Sequence, residues 1–269
     1  MTKSLSIAIA GVAGRMGRQL VRASLEAGHK VIGGTEHSAS PDLGTDIGTL
    51  AGLPAIDKTP KQHPIEVTRG ADTWIDFTSP ATSLNALAAL EGSSVKSVII
   101  GTTGFTPDQD KAVAAYAQRY AIVKSGNFSL GIALLTALTK TAAEKLGPDW
   151  DLEILETHHK HKVDAPSGTA LMLGHAAAEG RGKPLTELHA SAYDGPDAKR
   201  VPGKIGFSVR RSGGVIGEHD VTVTSDTEQI TLAHKALDRR VFADGAVKAG
   251  EWAGAQKPGL YTIYDVLGL

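Results

Sequence analysis

The chain has 269 residues, of which 41% are hydrophobic and 21% are charged, a composition typical of folded globular proteins rather than disordered ones. Its formal net charge of -1 offers no basic excess for nucleic acid or an anionic membrane, so we expect neither as a partner. The absence of cysteine excludes disulfides, thiolate catalysis and cysteine-bound metal, and we expect a cytoplasmic protein.

The first apolar stretch, residues 5–10, is short and is followed directly by glycine. A signal peptide needs a longer apolar stretch and a cleavage site, and a membrane span needs roughly 20 apolar residues. We therefore expect neither segment. A short apolar run that ends at a glycine is instead typical of a buried parallel strand.

The next residues complete a β-α-β unit. Residues 15–26 carry apolar side chains three or four positions apart, which predicts a helix ended by Gly28. Residues 31–35 form a second apolar run. A strand, a glycine turn, a helix and a strand within about 30 residues are the β-α-β motif.

Strands and helices continue to alternate up to residue 123. The predicted strands are residues 73–77, 97–101 and 121–123, and the predicted helices are residues 81–90 and 107–120. This alternation predicts an N-terminal Rossmann-like, doubly wound parallel sheet. Residues 38–70 are rich in glycine, proline and aspartate, and we expect a loop with little regular structure there.

The pattern changes after residue 127. The predicted helices are residues 130–146 and 169–179, and the predicted strands are residues 151–157, 205–211, 217–224 and 228–234. Closely spaced strands predict a C-terminal α+β domain with a mixed or antiparallel sheet. A last helix, residues 242–254, is expected to return to the first domain.

These patterns predict two domains. We expect a dinucleotide-binding domain at residues 1–127, with a return of about 238–269, and a substrate-binding and oligomerisation domain at residues 128–237.

A glycine motif joins the first strand to the first helix: residues 11–17 read GVAGRMG. Such glycines let the backbone approach a pyrophosphate, and free N–H groups at a helix start bind its charge. The alternative is a glycine turn of another α/β fold. Glu36 favours the first interpretation, because an acid at the end of the second strand accepts hydrogen bonds from the adenosine ribose.

His37 follows that acid. An arginine there would bind a 2′-phosphate firmly, whereas histidine is a weaker and pH-dependent partner. The cofactor is therefore expected to be NADH or NADPH, with NADH used at least as well.

A second motif spans residues 156–170, which read ETHHKHKVDAPSGTA. Residues 158–162 are all potentially cationic and come just after a predicted strand. One interpretation is a solvated basic loop. A metal site is disfavoured, because no carboxylate cluster completes a set of ligands.

The end of this motif favours a binding site for an acidic small molecule. Residues 166–169, PSGT, open a predicted helix, where backbone N–H groups and a threonine hydroxyl would face an anion. Cations together with a helix start suit a dicarboxylate, which has two groups to anchor.

Motifs along the whole chain resemble those of the 4-hydroxy-tetrahydrodipicolinate reductase family, also called dihydrodipicolinate reductases. The matching segments are 11–17 (GVAGRMG), 76–78 (DFT), 101–105 (GTTGF), 127–129 (NFS), 158–170 (HHKHKVDAPSGTA), 201–203 (VPG), 205–207 (IGF), 217–219 (GEH) and 234–236 (HKA). The resemblance implies NAD(P)H-dependent reduction on the diaminopimelate route to lysine, with hydride added to C4 of the unsaturated ring and a proton to the neighbouring carbon.

The resemblance also implies roles for particular residues. His158 would donate the proton, Lys162 would be a second donor or a carboxylate anchor, and the dicarboxylate would be bound by His159, Gly168 and Thr169. The implied cofactor-binding residues are Gly11, Val12, Ala13, Gly14, Arg15, Met16, Glu36, Gly101, Thr102, Thr103, Ser125, Gly126, Asn127 and Phe128. His37 is added to this set because it directly follows Glu36 in the sequence. Residues 101–103 would otherwise be a simple turn, and residues 125–128 a linker or hinge.

The chain departs from the family pattern at two positions. Ser79 stands where some members carry arginine, and position 37 is histidine. Both bear on the choice of cofactor. The resemblance further implies a homotetramer joined through the sheet of the second domain.

Two other functions fit part of the sequence. Another two-domain dehydrogenase of amino-acid precursors, such as an aspartate or homoserine dehydrogenase, shares the Rossmann half but lacks the histidine-rich motif. A dinucleotide-sensing protein without catalysis would need no proton donor.

Overall fold

The computed structural model describes residues 4–191, 193, 195–196 and 198–269. Residues 1–3, 192, 194 and 197, which the expected domain ranges include, lie outside the described residues. The chain forms two compact units: one contains the described residues up to Ser129 together with Arg240–Leu269, and the other is Leu130–Arg239.

The first unit is built on a parallel sheet. Its strands, numbered in chain order, are β1 (Ser6–Ala10), β2 (Lys30–Thr35), β3 (Thr73–Asp76), β4 (Ser97–Ile100), β5 (Ala121–Lys124) and β10 (Gly259–Tyr261). They are arranged in the order β10-β5-β4-β3-β1-β2, and each neighbouring pair is parallel. The Rossmann-like fold class is confirmed, whereas the C-terminal edge strand β10 was not predicted.

The helices of this unit are α1 (Arg15–Glu26), α2 (Ile47–Leu50), α3 (Pro64–Val67), α4 (Pro80–Ala89), α5 (Pro107–Tyr116), α9 (Arg240–Ala253) and α10 (Ile263–Leu267). The expectation that residues 38–70 lack regular structure is wrong at α2 and α3. Asp46 caps α2 through the N–H of Thr49, and a capping box of His63 and Glu66 starts α3. These caps stabilise α2 and α3, which are too short to show the apolar periodicity by which a helix is predicted.

Strands β3 and β4 are buried along their whole length, and β1 and β5 are buried except for one end residue each. Ile7, Ile9, Ile75, Ile99 and Ile122 are each fully inaccessible to solvent. Helices that cover both faces of a parallel sheet require such continuous apolar strands. The carboxyl ends of β1, β3 and β4 are therefore firmly placed.

The second unit combines helices with a mixed sheet. Its elements are α6 (Leu130–Leu146), β6 (Asp151–His158), α7 (Gly168–Gly180), α8 (Leu185–Leu188), β7 (Ile205–Arg211), β8 (Glu218–Thr224) and β9 (Gln229–Lys235). The strand order is β7-β6-β8-β9; β6 and β7 are parallel, while the other pairs are antiparallel. The predicted α+β class with a mixed sheet is confirmed.

Strand β6 carries the second motif to its position. Leu152 and Ile154 pack into a core with Leu173 of α7. Because side chains alternate along a strand, Glu156 and His158 lie on that same face, one and two steps further on. The end of β6 is thereby directed towards the start of α7.

Among the described residues, no helix combines the length and the apolar character that crossing a membrane requires.

Candidate active site

Three loops meet at the carboxyl edge of the parallel sheet. Gly11 follows β1 with φ of 60°, and a Cβ there would lie 3.0 Å from Cγ2 of Thr78, in the loop after β3. The N–H of Thr78 donates to Oγ1 of Thr102, which follows β4, over 3.0 Å. This edge is where open α/β sheets bind ligands.

The start of α1 fits a pyrophosphate. Gly14 is its N-cap, and neither a capping side chain nor an acidic residue in the first turn is found in this described segment. Its first N–H groups are therefore left for an anion. A Cβ at Gly17 would overlap the carbonyl oxygens of Gly11 and Val12, so only glycine allows the turn and helix to approach so closely. Arg15 is exposed and Met16 is half-buried at this helix start.

Glu36 directly follows β2, as predicted, and its carboxylate faces the glycine loop. Its Oε2 accepts from the N–H of Ala13 over 3.2 Å, and its Oε1 accepts from the N–H of His37 over 3.1 Å. The imidazole Nε2 of His37 lies 3.8 Å from Oε1, and that side chain is 69% exposed. A carboxylate beside the loop suits a ribose diol, while the exposed imidazole is a weak anchor for a phosphate.

The segment 125–128 reaches the same sheet edge. The N–H of Ser125 donates to the carbonyl of Ile100, and Cγ2 of Thr103 lies 3.9 Å from a Cβ built on Gly126. Ser125 also donates through Oγ to the carbonyl of Asn127 over 2.7 Å. The Phe128 ring is buried with its centroid 5.4 Å from that of Phe77. The structure thus brings all four predicted cofactor segments into the first unit.

A buried carboxyl that the sequence analysis gave no role supports these loops. Oδ1 of Asp76 accepts from the N–H and the hydroxyl of Thr78 and from the hydroxyl of Thr102. Burial raises the pKa of Asp76, although hydrogen bonds from Thr78, Ser83 and Thr102 act in the opposite direction. Its place at the end of a predicted strand was the available signal. Ser79, the first departure from the family pattern, caps α4 through Thr82.

In the second unit, Glu156, His158 and Arg211 form a buried cluster at the end of β6. Oε2 of Glu156 lies 2.5 Å from Nδ1 of His158. Arg211 donates to Oε2 and Oε1 of Glu156 over 2.8 and 3.1 Å. The Glu156 side chain is fully buried. Burial alone would raise the pKa of Glu156, but the hydrogen bonds from Arg211 and His158 outweigh it, so the pKa lies below its usual value.

The same cluster is joined to the start of α7. The N–H of Ser167 donates to Oε1 of Glu156 over 3.0 Å, and Ser167 Oγ caps the helix by accepting from the N–H of Ala170. Ser167 Oγ also lies 3.1 Å from Nε2 of His219 on β8. The rings of His158 and His219 meet edge to face at 5.1 Å.

Burial, followed by the positive charge of His158, lowers the pKa of His219 to about 4. At neutral pH the ring of His219 is therefore uncharged. Glu156, Arg211 and His219 were not predicted as site residues. The signal for Glu156 was its spacing of two from His158 on a strand, whereas Arg211 and His219 approach from distant parts of the chain.

Lys162 and His159 lie in the loop after β6. Nζ of Lys162 is 2.7 and 2.9 Å from the two carboxylate oxygens of Asp164. That hydrogen bond, which outweighs the effect of burial, lowers the pKa of Asp164. The pKa of His159 is lowered by burial and by the positive charges of Arg239 and His158, among others. Its Nδ1 is buried and has no hydrogen-bond partner among the described residues.

Gly168 and Thr169 begin α7 beside this cluster. Gly168 is exposed, and a Cβ built there would meet no atom of the described chain within 4 Å. Open space next to a helix start leaves room for an anionic group. Over the described residues, no group of three or more histidine, aspartate or glutamate side chains is arranged to hold a metal ion.

The first unit is Rossmann-like and combines a glycine loop with an acid, Glu36, directly after β2. The second unit contains a buried histidine–carboxylate pair. Together these features define the chain as an NAD(P)H-dependent oxidoreductase. Its sequence matches the family model for the N-terminus of dihydrodipicolinate reductase over residues 5–128 and that for the C-terminus over residues 131–267. The chain belongs to the dihydrodipicolinate reductase family, and the reductase activity expected from the sequence is confirmed.

Curated relatives extend over the full chain. The chain is 47% identical to a 4-hydroxy-tetrahydrodipicolinate reductase of Parvibaculum lavamentivorans, with all of both chains covered. It is 48% identical to 4-hydroxy-tetrahydrodipicolinate reductase 1 of Mesorhizobium japonicum, with 98% of this chain and 97% of the relative covered.

Solved structures share the fold of this chain. A dipicolinate-bound dihydrodipicolinate reductase from Paenisporosarcina matches with a TM-score of 0.75 at 25% identity, covering 97% of this chain and 98% of the other. An amine dehydrogenase from Mycobacterium smegmatis shares the fold, with a TM-score of 0.67 at 14% identity and with 97% of this chain and 95% of the other covered.

Proposed function

We propose that the chain acts on the cyclic 4-hydroxy-tetrahydrodipicolinate formed from aspartate semialdehyde and pyruvate. Loss of its hydroxyl group as water gives dihydrodipicolinate, and addition of a hydride and a proton, with His158 as the proton donor, gives tetrahydrodipicolinate for diaminopimelate and lysine synthesis. The observation that carries this assignment is the contact between Nδ1 of His158 and the buried carboxylate of Glu156, next to the start of α7. The cluster combines an imidazole suited to general-acid work with a helix start suited to a carboxylate.

The first unit would bind the dinucleotide. The glycine loop and the start of α1 would hold the pyrophosphate, Glu36 the adenosine ribose, and residues 101–103 and 125–128 the nicotinamide end. The nicotinamide of bound NAD(P)H supplies the hydride that reduces the ring. The buried Asp76 holds Thr78 and Thr102, and with them the loops around that site.

The second unit would bind the dicarboxylate. Gly168 and Thr169 would receive one carboxylate at the start of α7, where the dipole of a 13-residue helix adds to the attraction. Lys162 would anchor a carboxylate by exchanging or sharing its contact with Asp164. The buried, unpaired Nδ1 of His159 would gain a partner in the substrate.

His158 would hold the transferred proton at Nε2. Glu156 is ionised, so it can only accept, and Nδ1 must therefore carry a proton towards it. Nε2 points to the region of Gly217, where a Cβ would lie only 3.1 Å away. Proton transfer from Nε2 to the ring carbon next to C4 leaves a neutral imidazole that still donates to Glu156. Lys162 remains the second donor to be tested.

We propose that NADH is used at least as well as NADPH. Glu36 is turned towards the glycine loop, and its negative charge would repel a 2′-phosphate. The His37 side chain is exposed, and its Nε2 lies 3.8 Å from Oε1 of Glu36, so it offsets that charge only weakly. Ser79 caps a helix and adds no positive charge for a phosphate. Relative kcat/KM values decide this; a value for NADPH more than tenfold higher would reject it.

We propose a cytoplasmic homotetramer joined through the second unit. Leu155 and Thr222 alternate with buried core residues, and Thr231 is paired with Thr222, so all three lie on the sheet face opposite the core. All three are uncharged and at least partly exposed. Light scattering of Thr231→Arg should give a smaller species than wild type. An unchanged mass would remove this face from the interface.

The reaction is tested with a coupled assay in which aspartate semialdehyde, pyruvate and a synthase form the substrate in place. NADH oxidation should depend on all three components. Oxidation that proceeds equally with aspartate semialdehyde alone would indicate a different dehydrogenase, and no oxidation despite measured NADH binding would indicate a sensing protein.

A further inference from the structure

The buried carboxylate of Glu156 has further contacts besides the one to His158 on which the proposed reaction rests. Its two oxygens accept from Arg211, His158 and the N–H of Ser167, which belong to β7, β6 and the start of α7. A buried ion costs several kcal/mol unless it is paired and hydrogen-bonded. This carboxylate satisfies that condition by binding three separate elements.

We infer that Glu156, held by Arg211, is the positioning residue for His158: it fixes the Nδ1–H form of the imidazole and leaves Nε2 as the atom that transfers the proton. The inference rests on the proposed role of His158 as donor. Glu156 touches neither substrate nor cofactor in this account and acts only through the imidazole.

The geometry restricts the ring on several sides. Nδ1 is fixed by Glu156 at 2.5 Å, and the ring of His219 stands edge to face at 5.1 Å. The backbone carbonyl of His158 accepts from the N–H of Ser212 over 2.8 Å, which fixes the end of β6. With these contacts, the direction of Nε2 is set before a substrate binds, and such preorganisation is what general-acid catalysis requires.

The same carboxylate connects the donor to the substrate anchor. Because Oε1 accepts from Ser167, the N-cap of α7, the position of the imidazole and that of the helix start depend on one side chain. Arg211 strengthens the connection by also donating to the carbonyl of Asp164 over 2.6 Å, in the loop that carries Lys162.

The charged and titratable groups around His158 are Glu156 on its own strand, Arg211 on β7, His219 on β8, and His159 and Lys162 in the following loop. Of these five side chains, Glu156 is the one that carries a negative charge. Its charge favours the protonated imidazole, so its neutralisation should move the alkaline fall of kcat to lower pH.

The test compares Glu156→Gln with a matched control, Glu153→Gln. Glu153 lies on the same strand, on the opposite face, and likewise pairs with an arginine, Arg200. We expect Glu156→Gln to lower kcat roughly tenfold or more and to shift the alkaline limb of the kcat profile downwards, while Glu153→Gln keeps both. A merely structural role of Glu156 would lower the melting temperature of Glu156→Gln without moving the alkaline limb of its kcat profile. A Glu156→Gln profile that coincides with that of Glu153→Gln would overturn the inference.

Three further measurements keep the test decisive. If Glu156→Gln does not fold, Arg211→Lys is the second variant, because position 211 is partly exposed. Lysine cannot replace the two parallel hydrogen bonds of arginine to Glu156, so kcat should also fall. An unchanged kcat would overturn the inference. Nitrogen NMR of the His158 ring reads the tautomer without turnover and should show Nδ1–H in wild type and a mixture in Glu156→Gln. His158→Gln with wild-type kcat would reject the proposed donor, whereas an impaired His158→Gln beside a normal Glu156→Gln would reject the positioning role alone.

Discussion

Oε2 of Glu156 lies 2.5 Å from Nδ1 of His158, and the two residues are two positions apart on one strand. A strand places such residues on the same face, so local sequence alone brings the carboxylate under the imidazole. What the strand cannot supply is the charge partner, Arg211, which comes from β7 55 positions further along the chain. The acid–imidazole pair is thus local in origin, and its stabilisation is tertiary.

The start of α7 should contribute to substrate binding more than to turnover. Thr169→Val removes a hydroxyl while keeping the shape, and a hydrogen bond to a charged group contributes about 1.5–3 kcal/mol. We therefore expect KM for the dicarboxylate to rise about tenfold or more, with kcat changed little. Steady-state kinetics with varied substrate measure this.

Thr141→Val on α6 is the matched control, because its hydroxyl is exposed and donates to the carbonyl of Ala137 within the same helix. If Thr169→Val and Thr141→Val show the same KM, the carboxylate is bound elsewhere.

Glu36 should determine the preference for NADH over NADPH, measured as the ratio of their kcat/KM values. Glu36→Gln loses the charge that attracts ribose hydroxyls and repels a 2′-phosphate. The ratio of kcat/KM for NADH to that for NADPH should fall roughly tenfold, mainly through KM for NADH. Parallel titrations with both cofactors give the ratio.

The control for this change is Glu91→Gln, which alters an exposed carboxylate that pairs with Arg119. A ratio in Glu36→Gln equal to that of Glu91→Gln would remove Glu36 from the ribose site.

The parts of the fold that the sequence predicted were those governed by local pattern. Continuous apolar runs gave β1, β3 and β4, because a strand buried on both faces has no polar side to obscure it. The short helices α2 and α3 were missed, because they depend on caps at Asp46 and His63 rather than on apolar periodicity. The edge strand β10 has three residues and forms only by pairing with β5.

The candidate site followed the same division. The histidine-rich motif and the glycine loop are contiguous in sequence and could be predicted. The roles of Arg211, His219 and Asp76 depend on which strands become neighbours, and strand order is not written in any local pattern. In the structure, burial identifies such residues. Glu156 and Asp76 are acids with almost no solvent contact, and a buried acid requires hydrogen-bond or charge partners from elsewhere in the chain.

His219 should make the protein less stable in mild acid. Its pKa is about 4 in the folded chain against a usual 6.5, so between these values the unfolded chain binds the additional proton. The stabilisation is complete above about pH 6.5 and is lost as the pH falls towards 4. The span corresponds to about 3 kcal/mol of unfolding free energy.

Urea denaturation at pH 7.5 and pH 5 checks this, with His219→Gln as the comparison. The variant should lose less stability than wild type on acidification, even if it is less stable at pH 7.5. Equal losses in both proteins would show that His219 titrates alike in the folded and unfolded chains.

The most direct test of the account is the turnover of His158→Gln, with His175→Gln, an exposed histidine on α7, as control. We predict that His158→Gln lowers kcat roughly 10²-fold while the dissociation constant for NADH stays unchanged, because a general acid acts on the chemical step alone. His175→Gln should match wild type in both quantities. A His158→Gln enzyme with the kcat of the His175→Gln control would contradict the assignment of the proton donor.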